Sequence, residues 1–403
     1  MCLIQFQYSR EKFAISDFIN GINSQSSRGS SPIKLYLKSN IDDSKPLLLN
    51  INDTKLNSIK NASFCIAHGR MTTIDNNPNC DQPLFSGCGN YIISFNGTIY
   101  NYVEIRDELK SLGVTFISNG DTEVLLQSFV QWGSKGIKKL NGQFTFVIYD
   151  LKKELLHLSS DILGQNTLFY FLNNETFVVA SEYKAIFNML PKMIKKIELD
   201  FLSSYLFNHH CPRQVKGKTF YKNIKMLIPG EWLTFDLKNY SMKSFSNETV
   251  NEYISIKPNI KDLENDLCLA SKYVLTSDQK IGIQLSGGID STLQSYLASK
   301  EILNSNKNIS FYTAKINEDS KDYKYSKNLA KKLDIPLKVV DVPHDNQALE
   351  NFEELIKTVE IPMYLGGPSA SSFFLAKKMS EDGIKIAISG TGGDELFCGY
   401  DKF

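Results

Sequence analysis

The pattern of hydrophobic and polar residues changes near the middle of the chain. In the first half, short runs of aromatic and β-branched residues predict strands, and two stretches with helical spacing interrupt them. The predicted strands are 64–67, 91–95, 144–149, 168–171 and 177–180, and the predicted helices are 103–112 and 123–132. The polar stretch 24–31 is expected to form a loop. The first half is therefore predicted to be rich in β-structure.

Strand and helix patterns alternate in the second half. Strands are predicted at 281–285, 309–314, 337–342 and 384–388, with helical segments between them. This alternation is typical of a parallel sheet that carries helices on its faces. Because the pattern changes between about Leu190 and Asn259, we expect a first domain at 2–190, a connecting segment at 191–258 and a second domain at 259–403.

Composition excludes several classes of function. The 403 residues are 42% hydrophobic and 22% charged, and the net charge is +1. A chain so close to neutral has no general attraction to nucleic acid or to an anionic membrane, so neither is an expected partner. No apolar run reaches membrane-spanning length, and the N-terminus lacks the pattern of a signal peptide, which predicts a cytoplasmic protein. Seven scattered cysteines without a Cys-x-x-Cys pair argue against a disulfide framework or a zinc ribbon.

The segment 286–292, Ser-Gly-Gly-Ile-Asp-Ser-Thr, separates a predicted strand from a helical pattern that begins at Ser291. Its two glycines let the backbone approach a ligand closely, and the N–H groups that open a helix favour a phosphate or pyrophosphate. No Lys follows the glycines, so the segment differs from the phosphate loop of kinases and GTPases. It is typical of enzymes that split ATP between the α and β phosphates to adenylate a substrate. Taken alone, the segment also fits an ordinary turn before a helix.

Two aspartates follow predicted parallel strands in this half. Asp290 lies beyond the strand 281–285, and Asp394 lies beyond the strand 384–388. Ligands of open parallel sheets bind beyond the carboxyl ends of the strands, so the two carboxylates are expected to face one pocket and hold Mg²⁺. Alternatively, Asp394 simply caps the next helix.

Cys2 is a candidate nucleophile because of its position. Removal of Met1 would place its thiol and a free α-amine on one residue. An α-amine has an ordinary pKa of about 8 and can act as a base near neutral pH. A terminal cysteine is thus a nucleophile that carries its own base. A Met-Cys start is a weak signal by itself, and it gains weight only from the residues that follow.

Three further segments strengthen the case for Cys2. Arg70 follows a predicted strand and could hold a carboxylate through two parallel hydrogen bonds. Asn96-Gly97 alone would be a hairpin turn, but beside a cysteine nucleophile it makes a plausible oxyanion hole. Asp121 either caps the next helix or binds the ammonium group of an amino-acid substrate.

The ordered set of these motifs resembles a known family. Cys2, Arg70, 81–83, 96–97, Asp121, 141–144, Asp161 and 181–182 together resemble a class II glutamine amidotransferase domain. With the 286–291 motif, the chain resembles glutamine-dependent asparagine synthetase from Cys2 to Tyr400. The resemblance implies an N-terminal nucleophile hydrolase with an αββα sandwich, followed by an α/β parallel-sheet adenylating domain. The family continues beyond the position of Phe403, so this second domain is expected to be truncated at its C-terminal end.

The resemblance also implies roles for individual residues. It implies catalysis by Cys2, Asn96 and Gly97, and glutamine binding by Arg70, Met71, Thr72, Asn96, Thr98 and Asp121. It implies ATP binding by Leu285, Ser286, Gly287, Gly288, Asp290, Ser291, Thr313, Ser389 and Gly390, and Mg²⁺ binding by Asp290 and Asp394. The residues Pro362 and 367–369 resemble a loop that precedes the last motif. The implied reaction transfers the amide nitrogen of glutamine to an adenylated aspartate, and the family allows a homodimer.

Several positions depart from the family pattern. Leu3 stands where the family usually has Gly, Gly69 replaces one Arg of the usual His-Arg-Arg, and Thr98 replaces a Glu that helps hold glutamine. Residues 27–31 look like an eroded His-Arg-Gly-Pro-Asp loop, and Thr391 replaces an acid that is a candidate catalytic group for amide formation. Two alternatives therefore stay open. One is an amidotransferase that amidates a different carboxylate, and the other is a truncated homologue that is non-catalytic or only a glutaminase.

Overall fold

The structure is a computed structural model that describes residues 1–29, 31–39, 46–193, 195–208, 217–246, 259–304, 308–343, 346–360, 368–397 and 399. The chain divides into two compact units, Met1–Ile254 and Ser255–Phe403. Nearly all of the site residues implied by the resemblance lie within the described ranges. The expected loop at Pro362 and Gly367 lies outside them.

The first unit contains two antiparallel sheets. Its strands are β1 (Leu3–Ala14), β2 (Lys34–Lys38), β3 (Leu47–Asn50), β4 (Asn61–Gly69), β5 (Leu84–Phe85), β6 (Tyr91–Ile99), β7 (Gly142–Asp150), β8 (Leu155–Ser160), β9 (Phe169–Leu172), β10 (Thr176–Ala180), β11 (Ile224–Met226), β12 (Glu231–Asp236) and β13 (Ser241–Ser246). One sheet has the order β11-β9-β10-β1-β4-β2-β3, and the other has the order β13-β12-β8-β7-β6-β5.

Helices cover the outer faces of both sheets. The α-helices of this unit are α1 (Ile15–Ser24), α2 (Tyr102–Ser111), α3 (Asp121–Trp132), α4 (Ser134–Ile137), α5 (Tyr183–Met189) and α6 (Leu199–Asn208). Helices α1 and α5 pack on β1 and β10, whereas α3 packs on β6. The predicted αββα sandwich is therefore confirmed.

The alternation of side chains along β1 places it between two layers. Phe6 and its neighbours Ile4 and Tyr8 lie in the apolar core between the sheets. Gln5 points to the helical layer, where its Nε2 donates a hydrogen bond to the Phe18 carbonyl at 2.6 Å. Apolar side chains on one face and buried amides on the other therefore fix this strand inside the sandwich.

The first unit extends beyond the domain expected from sequence. Part of 191–258, which the sequence analysis treated as a connecting segment, forms β11, β12 and β13. β11 pairs with β9, and β12 pairs with β8, so this segment enlarges both sheets. The side chains of Phe235 and Trp232 on β12 lie in two different apolar cores, one on each face of the second sheet.

The second unit is an α/β fold with a parallel sheet, as predicted. Its elements are α7 (Ile260–Val274), β14 (Ile281–Gln284), α8 (Ile289–Asn304), β15 (Ile309–Lys315), α9 (Lys321–Leu333), β16 (Leu337–Asp341), α10 (Asn346–Val359), α11 (Pro368–Glu381), β17 (Ile386–Ile388) and α12 (Gly393–Phe397). The strand order is β16-β15-β14-β17, and every pair is parallel. Ile281, Ile283 and Phe311 form the centre of its core. Across the described ranges, no helix has both the length and the apolar character needed to cross a membrane.

Candidate functional site

Cys2 lies where the two sheets of the first unit meet. It is 8% exposed and directly precedes β1 of the first sheet. Its backbone N–H donates a hydrogen bond at 2.8 Å to Oδ1 of Asn96, which lies on β6 of the second sheet. Its Sγ accepts a hydrogen bond at 3.2 Å from the backbone N–H of Met71, which follows β4. Residues on or beside three strands, β1, β4 and β6, therefore meet at Cys2.

The thiol of Cys2 is held in its neutral form by its surroundings. Burial raises its pKa above the usual value and outweighs the opposing effect of the Met71 N–H group. The Asp121 carboxylate also raises this pKa, whereas the Arg70 guanidinium lowers it. A buried thiol of this kind needs an adjacent base to become a nucleophile.

The Arg70 guanidinium is buried and shapes the loop that follows it. Its Nη2 donates to the Ile74 carbonyl at 2.9 Å and also to the Asp75 carbonyl, and its Nη1 donates to the Asn77 carbonyl at 3.3 Å. Asp81 lies 3.7 Å from Nη1 and supplies a counter-charge. Arg70 therefore organises residues 74–77 around the site, and its positive charge acts on both Cys2 and Asp121.

Asp121 opens helix α3 and is 5% exposed. Its Oδ2 accepts a hydrogen bond from the Ile99 backbone N–H at 2.9 Å, which ties the helix to the end of β6. Burial raises the pKa of this carboxyl to about 6, although the Ile99 N–H and the Arg70 charge act in the opposite direction. A carboxylate with so few solvent contacts gains strongly from a cationic partner.

The close approach of β7 explains why the residue after Asn96, Gly97, is a glycine. Its φ is +154°, and a Cβ there would overlap the Gln143 carbonyl and lie 2.6 Å from the Phe144 Cα. Thr98, the next residue, is buried. The close pairing of β6 with β7 therefore holds 96–98 in one conformation.

Two residues of this site have no role in the sequence-based prediction. Arg28 is 9% exposed, and its Nη1 donates to the Cys2 carbonyl at 3.2 Å while its Nε pairs with Glu182 at 2.6 Å. Asn166 accepts a hydrogen bond from Nδ2 of Asn96 at 3.3 Å. Arg28 belongs to the eroded loop 27–31, which was the one available signal. Asn166 has none, because its contact joins residues 70 positions apart.

Hydrogen bonds within the predicted pyrophosphate loop join its first serine to its last. Ser291 Oγ lies 2.9 Å from Ser286 Oγ, accepts from the Ser286 N–H at 3.2 Å and donates to the Gly288 carbonyl at 3.1 Å. Gly287 has a φ of +81°, and a Cβ there would lie 2.7 Å from Cβ of Tyr325 on α9. The turn thus fits tightly between β14, α8 and α9, with the N-terminus of α8 at its end.

A cavity of about 280 Å³ adjoins this loop. Its lining residues are Gln284, Leu285, Ser286, Thr313, Ala314, Ile316, Ser320, Asp322, Ser371, Ser372 and Leu375. Three of them, Leu285, Ser286 and Thr313, belong to the predicted ATP set. Thr313 is 1% exposed, and its Oγ1 has no hydrogen-bond partner among the described residues. A buried hydroxyl without a partner favours a ligand that can pair with it.

The structure brings the two predicted motifs of the second unit together. A Cβ on Gly390 would lie 2.8 Å from the Ser291 backbone N and 3.1 Å from Cβ of Asp290. A Cβ on Gly393 would overlap the carboxylate of Asp290. Ser389 and Asp394 flank this contact, with Asp394 in the first turn of α12.

The carboxylate groups beside the predicted pyrophosphate loop are of the kind that binds a magnesium ion. Asp290 and Asp394 provide carboxylates on adjoining segments, and carboxylate oxygens are the ligands that Mg²⁺ prefers. Within the described ranges, no group of three or more His, Cys, Asp or Glu side chains could form an all-protein metal site. Two carboxylates with a bound phosphate would therefore be the relevant ligand set.

Comparison with known proteins matches each unit to a domain family. A glutamine amidotransferase domain model matches residues 53–246, and an asparagine synthase model matches residues 263–403. Asparagine synthetase 1 of Bacillus subtilis, a glutamine-hydrolysing enzyme, is 29% identical over 341 residues, covering 83% of this chain and 51% of the relative. The chain belongs to the glutamine-hydrolysing asparagine synthetase family.

Two further relatives are similar to the chain over a comparable length. A putative glutamine-hydrolysing asparagine synthetase 1 of Methanocaldococcus jannaschii is 29% identical over 371 residues, covering 87% of this chain and 60% of the relative. The amidase chyE of Penicillium rubens is 26% identical over 360 residues, covering 84% of this chain and 51% of the relative. The chain thus spans between 51% and 60% of the length of these relatives.

Proposed function

We propose that the first unit hydrolyses glutamine and that the second unit activates a carboxylate with ATP for amidation by the released ammonia. The observation that carries the proposal is the contact of Cys2 with both Asn96 and Met71 across the two sheets. It places a nucleophile, a side-chain amide and a backbone N–H around one point. This is the arrangement that acyl transfer through a thioester requires.

Cys2 becomes reactive once its α-amine is free. After removal of Met1, the nitrogen that now donates to Asn96 Oδ1 at 2.8 Å is that amine. One of its N–H bonds can still contact Asn96, which orients the nitrogen lone pair, while the lone pair takes the proton from Sγ. Sγ then attacks the side-chain amide carbon of glutamine. The α-amine returns the proton to the leaving nitrogen, and ammonia departs.

The remaining residues stabilise and orient the reacting groups. The Asn96 Nδ2 and the Gly97 N–H would donate to the oxyanion, and water would then resolve the thioester to glutamate. Arg70 would bind the α-carboxylate of glutamine, and the buried Asp121 would bind its ammonium group. Met71, Thr72 and Thr98 would complete the wall of this pocket. Because Thr98 replaces a Glu of the family pattern, the pocket has one carboxylate fewer than in the family.

The second unit would bind ATP beyond the carboxyl ends of β14, β15 and β17. Leu285, Ser286 and Thr313 would contact the nucleotide in the 280 Å³ cavity. The backbone of 286–291, with Ser389 and Gly390, would hold the pyrophosphate. Asp290 and Asp394 would hold Mg²⁺, which supplies charge neutralisation on the phosphates when bound.

Aspartate is the acceptor that we propose first. Its side-chain carboxylate would attack the α-phosphorus of ATP, and pyrophosphate would leave. Ammonia would then attack the acyl carbon, AMP would leave, and the product would be asparagine. Enclosing the acyl-adenylate protects it from hydrolysis by water.

A second candidate is the amidation of a different carboxylate. Thr391 stands where the family has an acid, and its Oγ1 accepts a hydrogen bond from Ser389 Oγ at 2.9 Å, so a neutral pair occupies this position. One relative is named as an amidase rather than as an asparagine synthetase, which supports considering a different acceptor.

Glutamate release from glutamine by the Met-processed chain is the test of the first unit. We expect activity in the parent and in Cys88→Ala, which removes an exposed thiol, and none in Cys2→Ala. A Cys2→Ala variant as active as the parent would contradict the proposal. AMP formation with aspartate and with a panel of other carboxylates would then distinguish the two acceptor candidates.

A further inference from the structure

We infer that Asn166 is a positioning residue that fixes the orientation of the Asn96 amide group in the oxyanion hole. The inference rests on the glutaminase activity proposed above. Asn96 Oδ1 accepts from the Cys2 N–H at 2.8 Å, and Asn96 Nδ2 donates to Asn166 Oδ1 at 3.3 Å. The amide is therefore held from both ends by groups of opposite hydrogen-bonding character.

This double contact selects one of two orientations of the amide. Rotation of Asn96 by half a turn would place Nδ2 against the Cys2 donor and Oδ1 against the Asn166 acceptor. With Asn166 in its observed orientation, both new contacts would be repulsive. The observed orientation leaves one N–H of Nδ2 engaged by Asn166 and the other N–H available for an oxyanion. Without Asn166, only the Cys2 N–H would define which atom of the amide faces the reacting carbon.

The turn that carries Asn166 is fixed on both sides. On one side, Asp161 Oδ1 accepts from the Leu163 N–H at 2.9 Å, and the Asp161 N–H itself donates to the Phe144 carbonyl at 2.8 Å. On the other side, Leu168 is buried in the core between the sheets, and its carbonyl accepts from the Leu227 N–H at 2.9 Å. A turn that is hydrogen-bonded on one side and anchored in the core on the other suits a residue that must hold another in place.

Burying the amide of Asn166 costs desolvation free energy, which points to a function for this side chain. Asn166 Nδ2 is buried and has no hydrogen-bond partner among the described residues. An apolar side chain of similar size would avoid the desolvation of this group. The contact between Asn166 Oδ1 and Asn96 offers a physical reason for the amide to be there.

Replacement of Asn166 by Leu tests the inference. The hydrogen bond from Asn96 to the oxyanion acts mainly in the transition state. Its loss in Asn166→Leu is expected to lower kcat for glutamine hydrolysis about tenfold. The KM for glutamine should stay within about twofold, because Asn166 does not hold the amino-acid end of the substrate. Asn188→Leu changes an exposed asparagine on α5 and should leave both constants unchanged.

Coupling to Asn96 distinguishes positioning from a general structural role. In an Asn96→Ala background, Asn166→Leu should have no further effect on kcat, because the group that it orients is gone. Alkylation of Cys2 by iodoacetamide, followed by peptide mass mapping, needs no oxyanion hole and should proceed at the parent rate in Asn166→Leu. An equal loss of kcat in both backgrounds would overturn the inference.

A measurement without turnover separates this inference from the proposed function. In protein labelled with ¹⁵N-asparagine, the Asn96 side-chain amide resonance, assigned with Asn96→Asp, should move in Asn166→Leu and stay unchanged in Asn188→Leu. An inactive parent with this shift would contradict only the proposed function. An active parent whose Asn96 resonance and kcat are both insensitive to Asn166→Leu would overturn only the inference.

Discussion

Leu3 and Gly69 face each other as a direct cross-strand pair between β1 and β4. A Cβ on Gly69 would lie 3.3 Å from Cβ of Leu3 and 3.2 Å from Cγ1 of Ile33, so the leucine occupies the space beside the glycine. These are the two positions next to the nucleophile and next to Arg70 that depart from the family pattern. Relative to the family pattern, this chain has gained a side chain at position 3 and lost one at position 69. The two changes lie at the same contact.

We expect the substitutions Gly69→Ala and Leu3→Gly to be coupled. Gly69→Ala alone should destabilise the protein by about 1–3 kcal/mol, because its Cβ is crowded by two apolar side chains. In a Leu3→Gly background that cost should fall by about 1 kcal/mol, since one of the two crowding atoms is absent. Denaturant unfolding of the four proteins of this cycle measures the coupling.

Gly87→Ala is the matched control for this cycle. A Cβ there would meet only the Gln127 amide, at an ordinary distance of 3.4 Å, so little loss of stability is expected. Equal costs of Gly69→Ala with and without Leu3 would mean that the two departures are independent.

Local patterns predicted much of the fold, whereas distant contacts decide the rest. Alternating strand and helix patterns were enough for the parallel sheet of the second unit, because each of its elements has its own periodicity. β1 was missed because Gln5 and Gln7 interrupt its apolar run, and both are buried rather than exposed. The strands β11–β13 were missed because each is short and depends on pairing with a strand elsewhere in the sheets: β11 with β9, β12 with β8, and β13 with β12.

The residues of the candidate site also fall into two groups, those that local motifs predict and those that only the structure reveals. Cys2, Asn96 and Asp121 could be predicted from ordered motifs, each of which is contiguous in sequence. Arg28 acts through an ion pair with Glu182, which lies 154 residues away, and no local pattern reports such a contact. Sequence motifs thus named the candidate reacting groups, whereas the groups that contact and hold them could be found only in the structure.

The raised pKa of Asp121 predicts a pH-dependent affinity for glutamine. Only the ionised carboxylate attracts the substrate ammonium group, and its pKa is about 6 in the folded protein. The Kd for glutamine, measured by calorimetry with the inactive Cys2→Ala variant, should therefore rise roughly tenfold between pH 7 and pH 5. Asp121→Asn in the same background should bind weakly at both pH values, and a parent Kd that does not change with pH would contradict the assigned role.

The same carboxyl should make stability depend on pH. Its folded pKa, about 6, lies above the ordinary value of 3.8, so between these values the folded state binds more protons than the unfolded state. Stability from this group is fully present below about pH 4 and is lost as the pH rises through about 6. Asp121→Asn should therefore exceed its parent by roughly 2–3 kcal/mol at pH 7 and lose that advantage near pH 4. Urea unfolding at the two pH values measures both differences.

The contact between Gly393 and Asp290 predicts a selective defect in the second unit. Gly393→Ala places a methyl group onto the Asp290 carboxylate, which must move. We expect ATP-dependent AMP formation to fall at least about tenfold, while glutamine hydrolysis in the first unit is retained. Thermal unfolding provides the control, because Gly393→Ala should destabilise the parent but not an Asp290→Ala background. Equal destabilisation in both backgrounds would show that Asp290 is not the group displaced.

Thr313 is expected to have opposite effects on stability and on nucleotide binding. Its Oγ1 is buried without a partner among the described residues, so Thr313→Val should stabilise the protein without nucleotide by about 1 kcal/mol. If ATP occupies the adjoining cavity and pairs with this hydroxyl, the same change should weaken ATP binding about fivefold to tenfold. Thermal unfolding without nucleotide and calorimetric titration with ATP measure the two effects. Thr358→Val, which alters an exposed hydroxyl on α10, should change neither. A Thr313→Val protein that is more stable yet binds ATP as tightly as the parent would place the nucleotide away from β15, because the unpartnered hydroxyl would then have no part in binding it.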